Sequence, residues 1–128
     1  MATWPEVKEY IKANYVTTEE SDSLLSLQFQ TGRGRTQVVF VMGIEDAGPL
    51  NCARFFSAFA KVEQISPYQL AELAKSSVFG LAETGGLYGF VHNAFLADLD
   101  ASEIAVPMNA VTEHADNVER QLGLGDSL

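Results

Sequence analysis

The apolar residues in the last third of the chain recur at alternating spacings of four and three, which is the pattern of one helix face. The stripe consists of Ile104, Met108, Val111, Ala115, Val118 and Leu122. Asp100 followed by Glu103 has the form of a capping box, in which each side chain accepts a hydrogen bond from a backbone N–H. We therefore predict a long amphipathic helix that begins near Ala101 and needs a broad apolar surface to pack on.

Two shorter segments have the same helical periodicity and begin with the same kind of cap. The first follows Thr3 and ends near Asn14, and the second follows Ser66 and ends near Gly80. In each segment a Glu or Gln stands three residues after the cap, and a proline stands in the first turn, where its missing N–H does no harm. Three caps agree with three periodic segments, so the sequence predicts three helices.

The segments between the first two helices have the pattern of strands. Apolar and polar residues alternate over Leu25–Gln30, so one face of this strand is expected to be buried. Arg35–Met42 ends in a continuous apolar run, which places apolar side chains on both faces of a second strand. The glycines of Thr31–Gly34 are typical of a hairpin loop between the two. Gly43–Asn51 is predicted as a longer loop, and the acidic pair before the first strand as part of a turn.

The segment Arg54–Val62 fits two structures. A helix would cluster Phe55, Phe56 and Phe59 on one side. A strand places Phe55 and Phe59 on one face and Phe56 on the other. We choose the strand because the segment is short and follows an antiparallel pair.

The end of the chain is predicted as a hairpin that leads into the long helix. Leu87–Val91 would pair with Ala94–Leu99 around a turn at His92–Asn93. The resulting order is α-β-β-β-α-β-β-α, an α+β fold with an antiparallel sheet and helices packed mainly on one face. We expect residues 1–128 to form a single domain, with residues 123–128 as a frayed tail.

Composition and charge limit the classes of function. The chain has 128 residues, of which 47% are hydrophobic, and its formal net charge is −9. A surface this acidic repels phosphate, which argues against nucleic-acid partners and anionic membranes and favours basic or neutral protein partners. The single cysteine, Cys52, and an N-terminus without the pattern of a signal peptide predict a cytoplasmic protein.

Residues with catalytic potential are few and lack a characteristic spacing. Cys52, His92 and Asp98 contain the residue types of a thiol-based triad, but no local signature brings them together. With two histidines and one cysteine we expect no metal site, no cofactor and no enzyme activity. His114 is expected at the surface. The alternative is a small-molecule binder or enzyme with a pocket near Cys52, Tyr88 and His92.

The informative feature is the excess of apolar residues in the second and third strands. Three helices can cover one face of a five-stranded sheet but not both. We therefore expect Phe40, Phe55, Phe56 and Phe59 to contribute to an exposed apolar patch that binds a protein, a peptide or a second copy of the chain. The other interpretation is that loops and the first helix cover these residues.

Six segments, spread over nearly the whole chain, have a recognisable order and spacing. They are Tyr10–Ile11, Asp22–Phe29, Gly34–Val41, Leu87–Phe90, Ala97–Glu103 and Ala115–Asp116. In these segments the chain resembles the type III secretion chaperone-like superfamily, and in particular its YbjN-type branch of bacterial sensory transduction regulators. Two features depart from that pattern. Pro107 should kink the long helix, and the Gly43–Asn51 loop matches no client-binding feature.

The resemblance implies a sandwich of helices on one side of an antiparallel sheet, without catalytic residues. Relatives in secretion systems are small, acidic, cytoplasmic homodimers that hold an extended segment of a secreted protein in apolar grooves, whereas the YbjN-type branch has a regulatory association. The sequence therefore predicts a homodimeric protein-binding module that is either chaperone-like or regulatory.

Overall fold

A single antiparallel sheet forms the centre of the molecule. The computed structural model describes residues 2–32 and 34–124, and within these ranges the chain forms three α-helices and six strands. The elements are α1 Trp4–Asn14, β1 Thr17–Glu20, β2 Leu24–Gly32, β3 Arg35–Ile44, β4 Cys52–Lys61, α2 Pro67–Ser76, β5 Gly80–Thr84, β6 Leu87–Phe95 and α3 Ala105–Gln121. The strand order across the sheet is β1-β2-β3-β4-β6-β5.

The predicted α+β class and element order are confirmed. The choice of a strand for Arg54–Val62 is also confirmed, because β4 pairs with both β3 and β6. The sheet gains one strand at its edge, β1, where the sequence predicts a turn at Glu19 and Glu20. Arg33 of the predicted hairpin loop and residues 125–128 of the predicted tail lie outside the described residues.

The last hairpin lies earlier in the chain than predicted. Leu87–Phe95 is one continuous strand rather than two strands around His92–Asn93, and it pairs with β5. The turn between them contains Gly85 and Gly86, whose φ angles are 58° and 84°. Two adjacent residues with positive φ form the turn that suits a two-residue hairpin, and glycine adopts it without strain. Consequently α2 ends at Ser76, before the predicted end near Gly80.

The caps form largely as predicted. Ser66 and Asp100 each belong to a complete capping box, and Thr3 Oγ1 accepts a hydrogen bond from the Glu6 N–H at 3.3 Å. The Asp100 box, however, begins a short 3₁₀ turn, Ala101–Ile104, and α3 begins after it. Pro107 thus lies in the first turn of α3, where backbone N–H groups have no partner inside the α-helix. The irregularity expected at Pro107 falls at this change of helix type instead.

The core lies between the helices and one face of the sheet. Five residues of the predicted stripe, from Ile104 to Val118, are buried, and Leu122 packs against the same cluster. Their partners on the sheet include Val41, Phe55 and Phe90. We call this side of the sheet the helix-covered face.

A close approach between α1 and β3 fixes one end of this core. The Trp4 ring packs against Gly43, and a Cβ atom at Gly43 would overlap the indole. The indole N–H also donates to the Asp22 carbonyl at 2.8 Å, which holds the ring in place. Glycine within a strand often marks such a contact.

We expect Gly43→Ala to lower the free energy of unfolding by about 3 kcal/mol, because the new methyl group must displace the Trp4 ring. Urea denaturation with an unchanged m-value measures the loss. Gly80→Ala is the matched control, since a Cβ there would lie 3.2 Å from a Val91 methyl group. Equal losses for the two variants would contradict the proposed overlap.

Candidate functional site

The face of the sheet opposite the helices carries its own apolar strip. Register pairs Phe40 with Phe56, Phe56 with Val91, and Arg54 with Asn93, so these side chains project to the same side. We call this side the open face. It comprises Val38, Phe40 and Met42 of β3, Arg54, Phe56 and Ala58 of β4, and Leu87, Gly89, Val91 and Asn93 of β6. These residues lie outside the core cluster that the described residues form.

Phe56 is the centre of the open face. Its ring lies over Gly89, where a Cβ atom would come within 2.5 Å of the ring, and the residue is 1% exposed although it lies outside the helix-side core cluster. The Phe40 ring lies beside it, with 6.5 Å between centroids, and is half-buried. Phe40 also borders a shallow cavity of about 100 Å³ together with Val38 and Leu87. The open face therefore offers a flat apolar centre and a small recess.

The open face is nearly free of carboxylates, in contrast to the chain as a whole. Among the described strand residues, Glu19 on the edge strand β1 is the acidic residue that register places on this side. Arg54 is the basic residue near the centre, and it donates to Asn93 Oδ1 at 2.8 Å. Although the chain has a net charge of −9, none of the described strand residues that form the apolar strip is acidic.

Two of the four phenylalanines expected at the surface lie in the core instead. Phe55 and Phe59 are fully buried on the helix-covered face, and Phe59 stacks on Phe90 with 4.7 Å between centroids. The expectation of exposure is therefore wrong for both, because α3 packs across β4 and covers that side. Phe40 and Phe56 do lie on the open face, but Phe56 is also buried, so the expectation of exposure is wrong for Phe56 as well and Phe40 is the one of the four that is partly exposed. A binding role for Phe40 and Phe56 stays a prediction.

The alternative pocket near Cys52, Tyr88 and His92 does not form. Cys52 pairs with Phe95 at one end of β4, whereas Tyr88 pairs with Ala60 near the other end, roughly 20 Å away. Cys52 projects to the open face and His92 to the opposite side of the sheet, because His92 pairs with Phe55. Burial also raises the pKa of the Cys52 thiol, which makes it a poorer nucleophile.

His114 is half-buried in an aromatic cluster rather than exposed at the surface as expected. Its ring centroid lies 4.3 Å from that of Phe90 and 5.5 Å from that of Phe79. Burial against these rings lowers the pKa of His114 from its ordinary value, because the charged imidazolium loses hydration.

The sequence analysis missed a buried ionic cluster on the helix-covered face. Asp116 and Glu119 of α3 are 2% and 1% exposed, although both are acidic residues. Arg35 Nε donates to Asp116 Oδ1 at 2.9 Å, and Arg35 Nη2 donates to Glu119 Oε1 at 2.6 Å. Arg120 Nε lies 3.6 Å from Asp116 Oδ2. The one indication of this burial in the sequence is that each of the two acidic residues directly follows a residue of the apolar stripe.

Comparisons with protein-family models, with curated proteins and with solved structures find no match to this chain. The resemblance to the secretion-chaperone-like superfamily therefore stays a prediction. Within residues 2–32 and 34–124, no helix is long and apolar enough to cross a membrane. In the same ranges, no three His, Cys, Asp or Glu side chains are grouped as ligands for a metal ion.

We expect Arg35→Met to cost about 3–5 kcal/mol of stability, because it leaves Asp116 and Glu119 buried without their shared guanidinium. Chemical denaturation measures the loss. Arg120→Met removes an exposed contact to the same carboxylate and should cost less than about 1 kcal/mol. Similar costs for the two variants would show that burial of the Arg35 cluster has little energetic effect.

Stability should decline on acidification through His114. The folded-state pKa lies below the ordinary value of 6.5, so the unfolded chain takes up the proton first as the pH falls. The contribution of neutral His114 to stability is therefore complete above about pH 6.5. It is lost as the pH falls from there through the folded-state pKa. Unfolding free energies measured from pH 8 to 5 should decline less for His114→Phe than for the unchanged chain. His92→Gln retains His114 and should retain the full decline; a decline unaffected by His114→Phe would assign the effect elsewhere.

Proposed function

We propose that this chain is a non-enzymatic protein-binding module, chaperone-like or regulatory, that acts through its open face. The observation that supports the proposal is an apolar strip on the side of the sheet away from the helices, in which half-buried Phe40 and its neighbours Val38, Met42, Leu87 and Val91 lie around the buried Phe56. Contiguous apolar surface of this kind is typical of interaction sites. The proposed occupant is an extended, neutral or basic segment of another protein.

The size of the strip favours a segment over a large globular partner. A patch four strands wide and five residues long covers roughly 300 Å² in projection, from strand spacings of about 4.8 Å and a rise of about 3.3 Å. Stable protein interfaces bury about 800 Å² on each partner. The strip alone therefore suits a short extended segment bound with modest affinity.

Charge supports the same choice of partner. The net charge of −9 attracts a basic segment and repels an acidic one, whereas a neutral segment is not repelled, and the apolar strip itself presents few carboxylates to it. A homodimer through the same face would bring two such charges together, which opposes association at low salt. Homodimerisation nonetheless stays a prediction from the sequence, and the experiment below distinguishes the two occupants.

A cytoplasmic location belongs to the same proposal. The single cysteine is free and buried, which fits a reducing compartment. The competing enzyme hypothesis loses its motivation, because Cys52 and His92 project to opposite sides of the sheet.

Phe40→Gln should weaken binding of an apolar peptide at least tenfold, because it removes the half-buried ring from the strip. The measurement is fluorescence anisotropy with a library of labelled ten-residue peptides that range from acidic to basic, supported by uptake of a hydrophobic dye. Val106→Gln is the matched control, since Val106 is 77% exposed on α3, away from the open face.

Equal peptide binding by Phe40→Gln and Val106→Gln would contradict the proposal. A preference for acidic peptides would contradict the charge argument. Sedimentation velocity at micromolar concentration tests the second occupant. A dimer that Phe40→Gln dissociates would show that a second copy of the chain covers the open face instead of a client.

A further inference from the structure

A second cavity, on the helix-covered side, has a different chemical character from the open face. It has a volume of about 300 Å³ and lies between α3 and the end of β2. Its wall from β2 includes Phe29 and Thr31, and its wall from α3 includes Asn109, Asp116, Asn117 and Arg120. Pockets for small molecules begin at about this volume. The protein-binding proposal does not use this cavity.

The floor of the cavity combines an aromatic ring with buried polar groups. Phe29 packs edge to face on Tyr15, with 5.9 Å between centroids, which fixes the ring. Thr31 Oγ1 is buried and has no hydrogen-bond partner within the described part of the chain. A buried hydroxyl is costly without a partner, and it can both donate and accept. Asp116, 2% exposed, adds a carboxylate to the same space.

The charges around the floor are already balanced within the protein. The Asp116 carboxylate accepts from Arg35 on one oxygen and lies 3.6 Å from Arg120 on the other. A cationic ligand would therefore compete with two guanidinium groups for this carboxylate. An anionic ligand would meet the Glu113 carboxylate in the wall and the net charge of −9. Both charged classes are thus disfavoured relative to a neutral molecule.

The rim supplies planar amides at two levels along α3. Asn109 and Asn117 are exposed and lie eight residues apart, which is roughly 12 Å along the helix. Arg120 donates to the Asn117 carbonyl oxygen, so the Asn117 amino group remains to donate to a ligand. Amide donors and acceptors, a hydroxyl and a carboxylate around an aromatic ring suit a compact molecule with several hydroxyl groups and an apolar C–H face.

We propose that the cavity between α3 and β2 binds a neutral, polyhydroxylated small molecule of monosaccharide size. The C–H face of the ligand packs on Phe29, and its hydroxyls pair with the rim amides and with Thr31 Oγ1, which must turn toward the cavity to meet the ligand because it is buried in the free protein. A ligand with about twelve non-hydrogen atoms is expected to bind at roughly millimolar concentration.

Ligand-observed NMR on the whole chain tests the assignment. The probes are glucose, galactose and myo-inositol as neutral polyols, putrescine as a cation and glucose 6-phosphate as an anion. At least one neutral polyol should bind, more tightly than both charged probes. No binding of the three polyols at 20 mM, or tighter binding of putrescine or glucose 6-phosphate, would overturn the proposal.

Two matched variants locate the site. Thr31→Val keeps the shape of the side chain, removes its hydroxyl and should weaken polyol binding roughly three- to tenfold. Thr84→Val makes the same change on β5, away from the cavity, and should leave the affinity unchanged. Equal affinities for the two variants would place the polyol elsewhere. Phe40→Gln should not alter polyol binding, so failure of the polyol site and failure of the open-face proposal are separate results.

Discussion

The packing of α3 across the centre of the sheet is the interaction on which the rest of the structure depends. The α3 stripe, including Met108, Val111 and Ala115, meets the apolar side of β4 and β6 and is fully buried there. Strand side chains alternate, and apart from the irregularity between Ala58 and Ala60, where Phe59 and Ala60 both join the core, a core residue of β4 places its neighbour on the other side. Phe55 therefore lies under α3, whereas Phe56 lies on the open face.

The open face follows from that division. The helices α1 and α3, of eleven and seventeen residues, pack on one side of the described sheet, and α2 adds Leu70 and Leu73 to the edge of that core. An apolar residue on the other side is buried by neighbouring residues of the sheet itself. Phe56 does so by lying over Gly89, and Phe40 remains half-buried beside it. This arrangement supports the proposal of a protein-binding surface and confines it to residues between β3 and β6.

The Arg35 cluster represents a second constraint, of a different kind. It joins the start of β3 to the last turns of α3 across more than eighty residues of sequence. Buried ion pairs contribute little net stability compared with apolar packing, but they tolerate few alternative arrangements. The cluster holds the end of the β2–β3 hairpin against α3. Its charge balance also gives the cavity beside it a neutral polar character.

Local signals in the sequence determined the helices, the first two long strands and the fold class. The caps at Ser66 and Asp100 and the stripe on α3 are properties of a few neighbouring residues, so they could be interpreted without knowledge of the fold. The predicted position of the last hairpin turn, at His92–Asn93, was wrong. Two adjacent glycines specify a tight turn more strongly than His92–Asn93, because both central residues need positive φ.

Only the tertiary structure decided which side of each strand meets the helices. The sequence of β4 is apolar on both sides, so alternation alone could not separate Phe55 and Phe59 from Phe56. Asp116 resembles a solvent-facing residue until Arg35, distant in sequence, is placed against it. The periodicity of the sequence shows which positions along an element are apolar and which are polar. Burial depends in addition on which other segments of the chain pack against that side. For this reason the sequence could predict an uncovered apolar face but could not assign its residues.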